Sequence, residues 1–188
     1  MEKLTMKKVL VPAAALLMVT AGVAIAAELQ SGLQVGEAAG VYNVFDVTGP
    51  NKGKSLCYRW RLGNRPVVNI FARELTDDLA SLVKQIDNKI SENQDKKMTG
   101  FLVLLTDDPD AAEAKLEKFA KDNGIKNIPL TTFDGVSGPP KYKVAQGADV
   151  TVMMWLKRNV KVNHAFAKGK LNSKSIKAVV ADTSKILN

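Results

Sequence analysis

The stretch from Arg65 to Asp78 constrains the fold more than any other part of this chain. Val67-Val68-Asn69-Ile70-Phe71 is a short β-branched and aromatic run, which reads as a buried strand. The run breaks over Ala72 to Thr76, and Leu79, Leu82, Val83, Ile86 and Ile90 then recur at helical spacing. A buried strand feeding an amphipathic helix points to an α/β arrangement. In such a sheet, the loop leaving the carboxyl end of a central strand for a helix N-terminus is the usual place for chemistry. Arg73, Glu74, Leu75 and Thr76 fill that loop here, with no cysteine and no glycine-rich turn.

The first residues are different in kind. Lys3, Lys7 and Lys8 make a basic n-region, Val9 to Ala24 an apolar h-region broken once at Pro12, and Ala24-Ile25-Ala26 a small-x-small cleavage pattern. The apolar run reaches the minimum spanning length, but it is rich in Ala and Gly and no basic stop-transfer flank follows it. The pattern predicts a signal peptide over residues 1–26, cleaved before Ala27. What remains, 27–188, suits a single exported domain, periplasmic or extracellular, with no membrane span. Ala27, and no cysteine, stands directly after the cleavage site, so a lipid anchor is not expected.

Losing three lysines and one glutamate with that segment lowers the net charge from +8 to about +6. The lysines are spread along the mature chain in no long run, as on a solvated surface. An exported chain is not expected to meet nucleic acid, and the expected partner is a protein. Cys57 is the single cysteine. An exported protein with one cysteine forms no internal disulfide, so its stability must come from its core.

Taken in order, Val41 to Val47 alternates as a strand, and Thr48 to Lys54 is dense turn chemistry. Ser55 to Leu62 reads as a second strand, with Leu56, Tyr58, Trp60 and Leu62 on one face and Cys57, Arg59 and Arg61 on the other. After the central strand, Thr76 suits a helix N-cap, with Asp77 and Asp78 at the positive end of the dipole. Phe101 to Leu105 is a continuous apolar run typical of a strand covered on both faces. Asp108 and Pro109 open a second helix, which Gly124 ends. The Asp107-Asp108-Pro109-Asp110 carboxylates lack the later ligands of a calcium loop, so capping accounts for them. Pro129 to Phe133 reads as an edge strand, and Val150–Leu156 with Val160–Phe166 as a hairpin across Lys157-Arg158-Asn159. A final helix capped at Asn172 or Ser173 carries Ile176, Val179, Val180 and Ile186.

The order describes a mixed sheet with helices on both faces. Three stretches then carry a family resemblance: Leu33-x-Val35-Gly36-Glu37-x-Ala39 followed by Phe45-x-Val47-x-Gly49; Gly63-x-Arg65-Pro66-Val67-Val68-x-x-Phe71-Ala72; and Val150-Thr151-Val152-Met153-Met154 with its hairpin, Gly169 and helix. In these the chain resembles the thioredoxin-like superfamily, in its redoxin branch of peroxiredoxin-type and exported thiol-disulfide oxidoreductase-like domains. The resemblance implies an α/β fold: a thioredoxin-like mixed β-sheet flanked by helices, with an N-terminal β-hairpin. It also implies a Cys-x-x-Cys pair or a peroxidatic cysteine after the Val67–Phe71 strand, where a helix dipole lowers a thiol pKa. Leu75, Thr76 and Asp77 stand there instead. Many members place a cis-proline just before the strand that begins at Val150, where this chain has Asp149. Ordinary dithiol chemistry at that place is excluded by these departures.

Two functions stay in view: an exported thioredoxin-fold module that binds a partner, and a single-cysteine redox protein using Cys57. On a strand, Cys57 would share its face with Arg59 and Arg61, whose guanidinium groups favour thiolate. Cys57-Tyr58-Arg59-Trp60 has the spacing of a Cys-x-x-Cys with Trp60 in the second place, so turnover would need an outside resolving thiol. Against this, Cys57 also reads as a small residue on a sheet face. Arg59, Arg61, Arg73, Glu74 and Thr76 are the candidate binding residues, Arg73 and Glu74 as a local ion pair or part of a polar site. His164, the single histidine, shares strand parity with Val162 and Phe166 and has no partners at ligand spacing, so neither metal nor cofactor is expected.

Overall fold

A computed structural model describes residues 29–188; the expected signal peptide lies outside the described residues. Seven strands form one mixed sheet in the order β2-β1-β5-β4-β3-β6-β7. They are β1 (Val44–Asp46), β2 (Lys54–Leu56), β3 (Val67–Ala72), β4 (Thr99–Thr106), β5 (Leu130–Asp134), β6 (Val150–Leu156) and β7 (Asn159–Phe166). The helices are α1 (Tyr58–Leu62), α2 (Asp77–Glu92), α3 (Pro109–Asp122), α4 (Ser173–Asp182) and α5 (Ser184–Leu187).

Strand β3, buried along its whole length, runs parallel to β4 on one side and antiparallel to β6 on the other. The chain then steps from β3 to β4 to β5, always in the same direction and always parallel. Right-handed crossovers laid in one direction place their helices on one face. Accordingly α2, α3 and α4 contribute Leu79, Leu82, Val83, Ile86, Leu116, Ile176 and Val179 to a single core with Val68, Ile70 and Ala72. The opposite face carries Val67 and Phe71 against Leu33, Tyr58, Leu62, Phe101, Tyr142 and Trp155. It is covered by the N-terminal segment, the five-residue α1 and the β5–β6 connection, so the long helices are not shared between faces as the element order predicts.

Two elements differ from the sequence pattern. Residues 58–62, expected to extend a strand, form α1. Tyr58 and Leu62, one helical turn apart, are the buried pair, whereas Trp60 between them is 75 % exposed. The run therefore obeys helical spacing, although it also alternates. The segment after Pro129 is β5, and it is not at an edge: β1 pairs with it antiparallel and β4 parallel. The hydrogen-bonding register of β1 on β5 closes that side, leaving β2 and β7 as the sheet edges.

Candidate functional site

At the exit of β3, the polar side chains of Arg73, Glu74 and Thr76 each have a structural partner. The Arg73 backbone N–H donates to the Asp149 carbonyl at 3.1 Å. Its side chain donates through Nε to the Ala148 carbonyl (2.9 Å), through Nη2 to that of Ala145 (3.1 Å) and through Nη1 to that of Val136. The planar fork of a guanidinium is suited to such divergent carbonyls, which a lysine could not serve together. Arg73 thus pins the long β5–β6 connection to the end of the central strand. Glu74 does not pair with it; its carboxylate takes the ammonium of Lys168. That hydrogen bond raises the Lys168 ammonium above the ordinary lysine value.

Thr76 is the N-cap of α2, its Oγ1 accepting from the Leu79 N–H at 3.2 Å, with Asp77 and Asp78 in the first turn. A capping hydroxyl cannot be ionised by the helix dipole near neutrality, so Thr76 positions the helix and is no nucleophile. The peptide entering β6 at Asp149-Val150 is trans, as are all those among the described residues. Beside this loop a cleft lined by Arg73, Glu74, Leu75, Thr106, Asp108 and Lys115 opens at the carboxyl ends of β3 and β4. Ligands of open α/β sheets bind in such crevices.

Cys57 lies elsewhere. It stands at the N-cap position of α1, half-buried and free, and its side chain makes no capping hydrogen bond. Its carbonyl accepts from the N–H groups of Trp60 (3.1 Å) and Arg61 (3.2 Å). Because this segment is helical, Cys57, Arg59 and Arg61 do not share a strand face. Residues two apart on a helix point in nearly opposite directions. The Arg59 Nε donates to the Ala39 carbonyl at 2.9 Å, while Arg61 is exposed. The paired guanidinium environment expected around the thiol does not form as one face.

What adjoins Cys57 is aromatic. Tyr42 and Tyr142 meet edge to face at 4.6 Å, and both pack near Phe71. The Tyr142 hydroxyl donates to the Gly40 carbonyl at 2.7 Å, and that of Tyr42 to Asn69 Oδ1 at 3.1 Å. Burial pushes both phenols above their ordinary value, and a nearby Cys57 charge acts in the same direction to a smaller extent. The tyrosines stay neutral and donate. This cluster is on the face opposite α2, and Cys57 stands at the start of α1, whereas Thr76 caps α2.

A buried carboxylate anchors this corner. Asp46 accepts from the N–H groups of Gly49 (2.7 Å) and Asn51 (2.8 Å) and from the Tyr58 hydroxyl (2.7 Å), joining the β1–β2 turn to α1. A Cβ on Gly49 would sit 2.6 Å from Asp46 Oδ1, so the turn needs glycine there. Burial, then the bond to Asp46, raises the Tyr58 phenol and keeps it a donor. Sequence reading missed Asp46, Tyr42, Asn69 and Tyr142. Only Asn69 gave a signal, as a lone amide inside the apolar Val67–Phe71 run. Its Nδ2 is buried without a hydrogen-bond partner.

His164 Nε2 lies 2.9 Å from Asp182 Oδ2, and its ring stacks on Phe166. Burial pushes the Asp182 carboxyl up, but hydrogen bonds from Lys185 and His164 outweigh it and hold the group below the usual carboxylate range. Among the described residues, no group of three or more His, Cys, Asp or Glu could hold a metal, and no helix is long and apolar enough to cross a membrane.

No protein-family model matches the chain, and neither does any curated protein. Solved structures do. A provisionally named thiol:disulfide interchange protein DsbE from Chlorobium tepidum aligns at 14 % identity over 83 % of this chain and 99 % of its own, with a TM-score of 0.64. A provisionally named protein disulfide isomerase from Bacteroides thetaiotaomicron aligns at 15 % identity over 85 % and 94 %, with a TM-score of 0.63. Peroxidoxin BcpB from Mycobacterium tuberculosis aligns at 17 % identity over 82 % and 98 %, with a TM-score of 0.57. The fold is thioredoxin-like, on a chain with one cysteine.

Proposed function

We propose that this thioredoxin-fold protein is exported, loses residues 1–26 on the way, and works by binding a protein partner without dithiol chemistry. The observation that carries the reading is the use made of the β3 exit. Arg73 clamps three carbonyls there and Thr76 caps α2, so the loop that the family resemblance assigns to sulfur chemistry is a rigid structural joint. A joint of this kind gives a fixed platform, and binding residues are best placed on rigid elements. Glu74 beside the cleft and Arg59 and Arg61 on α1 are the side chains offered to a partner, while Arg73 and Thr76 shape the surface. Export is supported by the basic, apolar and small-residue order of the first residues.

A second reading, single-cysteine thiol chemistry, is favoured by the half-buried, unpaired Cys57 alone. Its step would be attack of the thiolate on a disulfide sulfur of a partner, releasing one thiolate and leaving a mixed disulfide for an external thiol to resolve. Thiol titration of the native and the unfolded protein, with intact mass under non-reducing conditions, separates the two. The binding reading expects slow reaction of native Cys57 and an unmodified mass. Fast native reaction with a covalent adduct would replace it by the redox reading.

A further inference from the structure

A partner-binding protein requires a surface, and the distribution of charge identifies one. From Val47 to Arg73 the chain carries Lys52, Lys54, Arg59, Arg61, Arg65 and Arg73 and no acidic residue. Lys52 pairs with Glu117, and Arg73 is fixed in its carbonyl clamp. Lys54, Arg61 and Arg65 are exposed, and among the described residues none of them has an acidic partner.

The fold adds two more cations from far along the chain. The β6–β7 turn is Lys157-Arg158, both exposed. The Lys157 N–H donates to the Asn64 carbonyl at 3.3 Å, just beyond the end of α1. The Arg158 carbonyl accepts from the Ala39 N–H at 2.8 Å, and the carbonyl of the same Ala39 holds Arg59. The turn is therefore seated against α1 through its backbone, and neither of its side chains is in an ion pair among the described residues. Glu37, whose carbonyl accepts from Val160 beside the turn, has its own carboxylate engaged by Lys143.

Two further features mark this corner. Trp60 projects from it at 75 % exposure. It stands between Arg59 and Arg61, and tryptophan and arginine are among the residues that dominate binding energy at interfaces. The turn itself is strained. Lys157 has φ 51° and Arg158 φ 70°, the left-handed region in which a two-residue hairpin prefers Asn-Gly. Strain of this kind is found where a side chain serves something other than the turn.

We propose that α1 and the β6–β7 turn form one docking surface for an acidic polypeptide segment, with Arg61, Arg65, Lys157 and Arg158 taking its carboxylates and Trp60 an adjoining apolar side chain. This deepens the partner-binding reading and rests on it. The cations are mostly arginine, whose fork matches a carboxylate in a way lysine does not. A lipid surface would call for an amphipathic helix with a broad apolar face, whereas α1 has five residues and a single exposed apolar side chain. Single-stranded nucleic acid would call for several stacking aromatics, and only Trp60 is exposed here.

The chain has two tryptophans, and Trp155 is fully buried, so a change in tryptophan emission on binding reports Trp60. The mature protein is titrated with an oligo-glutamate peptide carrying one leucine, in low and in high salt. The expected result is a shift or quenching of Trp60 emission that weakens with salt. It should weaken about tenfold in the Arg61→Glu/Arg65→Glu variant. A charge-matched control, Lys174→Glu/Lys177→Glu on α4, should retain wild-type binding. Replacing Lys157-Arg158 by Asn-Gly should weaken the peptide while raising stability, a combination that a purely structural turn would not give. Equal weakening by the α4 control would overturn the surface but leave partner binding standing. Saturation by phosphatidylglycerol vesicles or a single-stranded oligonucleotide, with no response to the peptide, would overturn the proposed partner class. Enzymatic turnover through Cys57 would instead overturn the binding reading, so the two failures are distinguishable.

Discussion

The exit of β3 and the corner at α1 present arginines in opposite ways. Arg73 reaches inward, with its Nε, Nη1 and Nη2 all donating to backbone carbonyls. Arg61 and Arg65 reach outward and meet no carboxylate among the described residues. The same residue type thus serves the backbone at one place and stands unpaired at the other.

The comparison breaks most severely at Asp46, which is fully buried and supports the α1 corner from beneath. Asp46→Ala leaves two backbone N–H groups and the Tyr58 hydroxyl without their acceptor, and a loss of about 4 kcal/mol is expected in urea denaturation. Native Cys57 should also titrate faster, because α1 loses its tether. At the other region, Arg73→Ala should cost about 2–3 kcal/mol, since it frees the β5–β6 connection from the central strand. Amide exchange around Ala145 and Ala148 should rise with it. Thr76→Ala should cost about 1 kcal/mol, the worth of an N-cap, with no effect on Cys57 reactivity. If Thr76→Ala altered thiol reactivity, the two regions would be coupled and the contrast between them would fail.

The smallest effect lies at the His164–Asp182 contact. The Asp182 carboxyl titrates lower in the folded chain than in the unfolded one, so its contribution is complete above the ordinary aspartate range and disappears as the pH falls through the folded value. Because the carboxyl is partly exposed and its ion pairs are screened by solvent, Asp182→Asn should cost about 0.5 kcal/mol at neutral pH. The two proteins should become equally stable in acid, as measured by urea midpoints across pH.

Most of the architecture was legible because it depends on local periodicity. The Val67–Phe71 run, the helical spacing from Leu79 to Ile90 and the Asp108-Pro109 start each declare one element. What local pattern could not declare was long-range. The position of β5 depends on β1 pairing back across it, and nothing in Pro129 to Phe133 encodes that neighbour. The segment from Tyr58 to Leu62 fits both periods of two and of four, and the contacts that go with the helix, Tyr58 on Phe101 and Asp46, are distant in sequence. The roles of Arg73 and Asp46 were equally hidden, since their partners are backbone groups close together in space and of no distinctive residue type. Thr76 was legible as a cap because capping is a contact three residues long.

The central claim is that this thioredoxin-like scaffold carries out no dithiol-type reduction, neither at the crossing from Arg73 to Asp78 nor through Cys57. Insulin reduction in the presence of a dithiol donor, run side by side with the Cys57→Ala variant, tests it most directly. The two proteins are expected to be indistinguishable from each other and from donor alone. A rate typical of dithiol enzymes that vanishes in Cys57→Ala would contradict it.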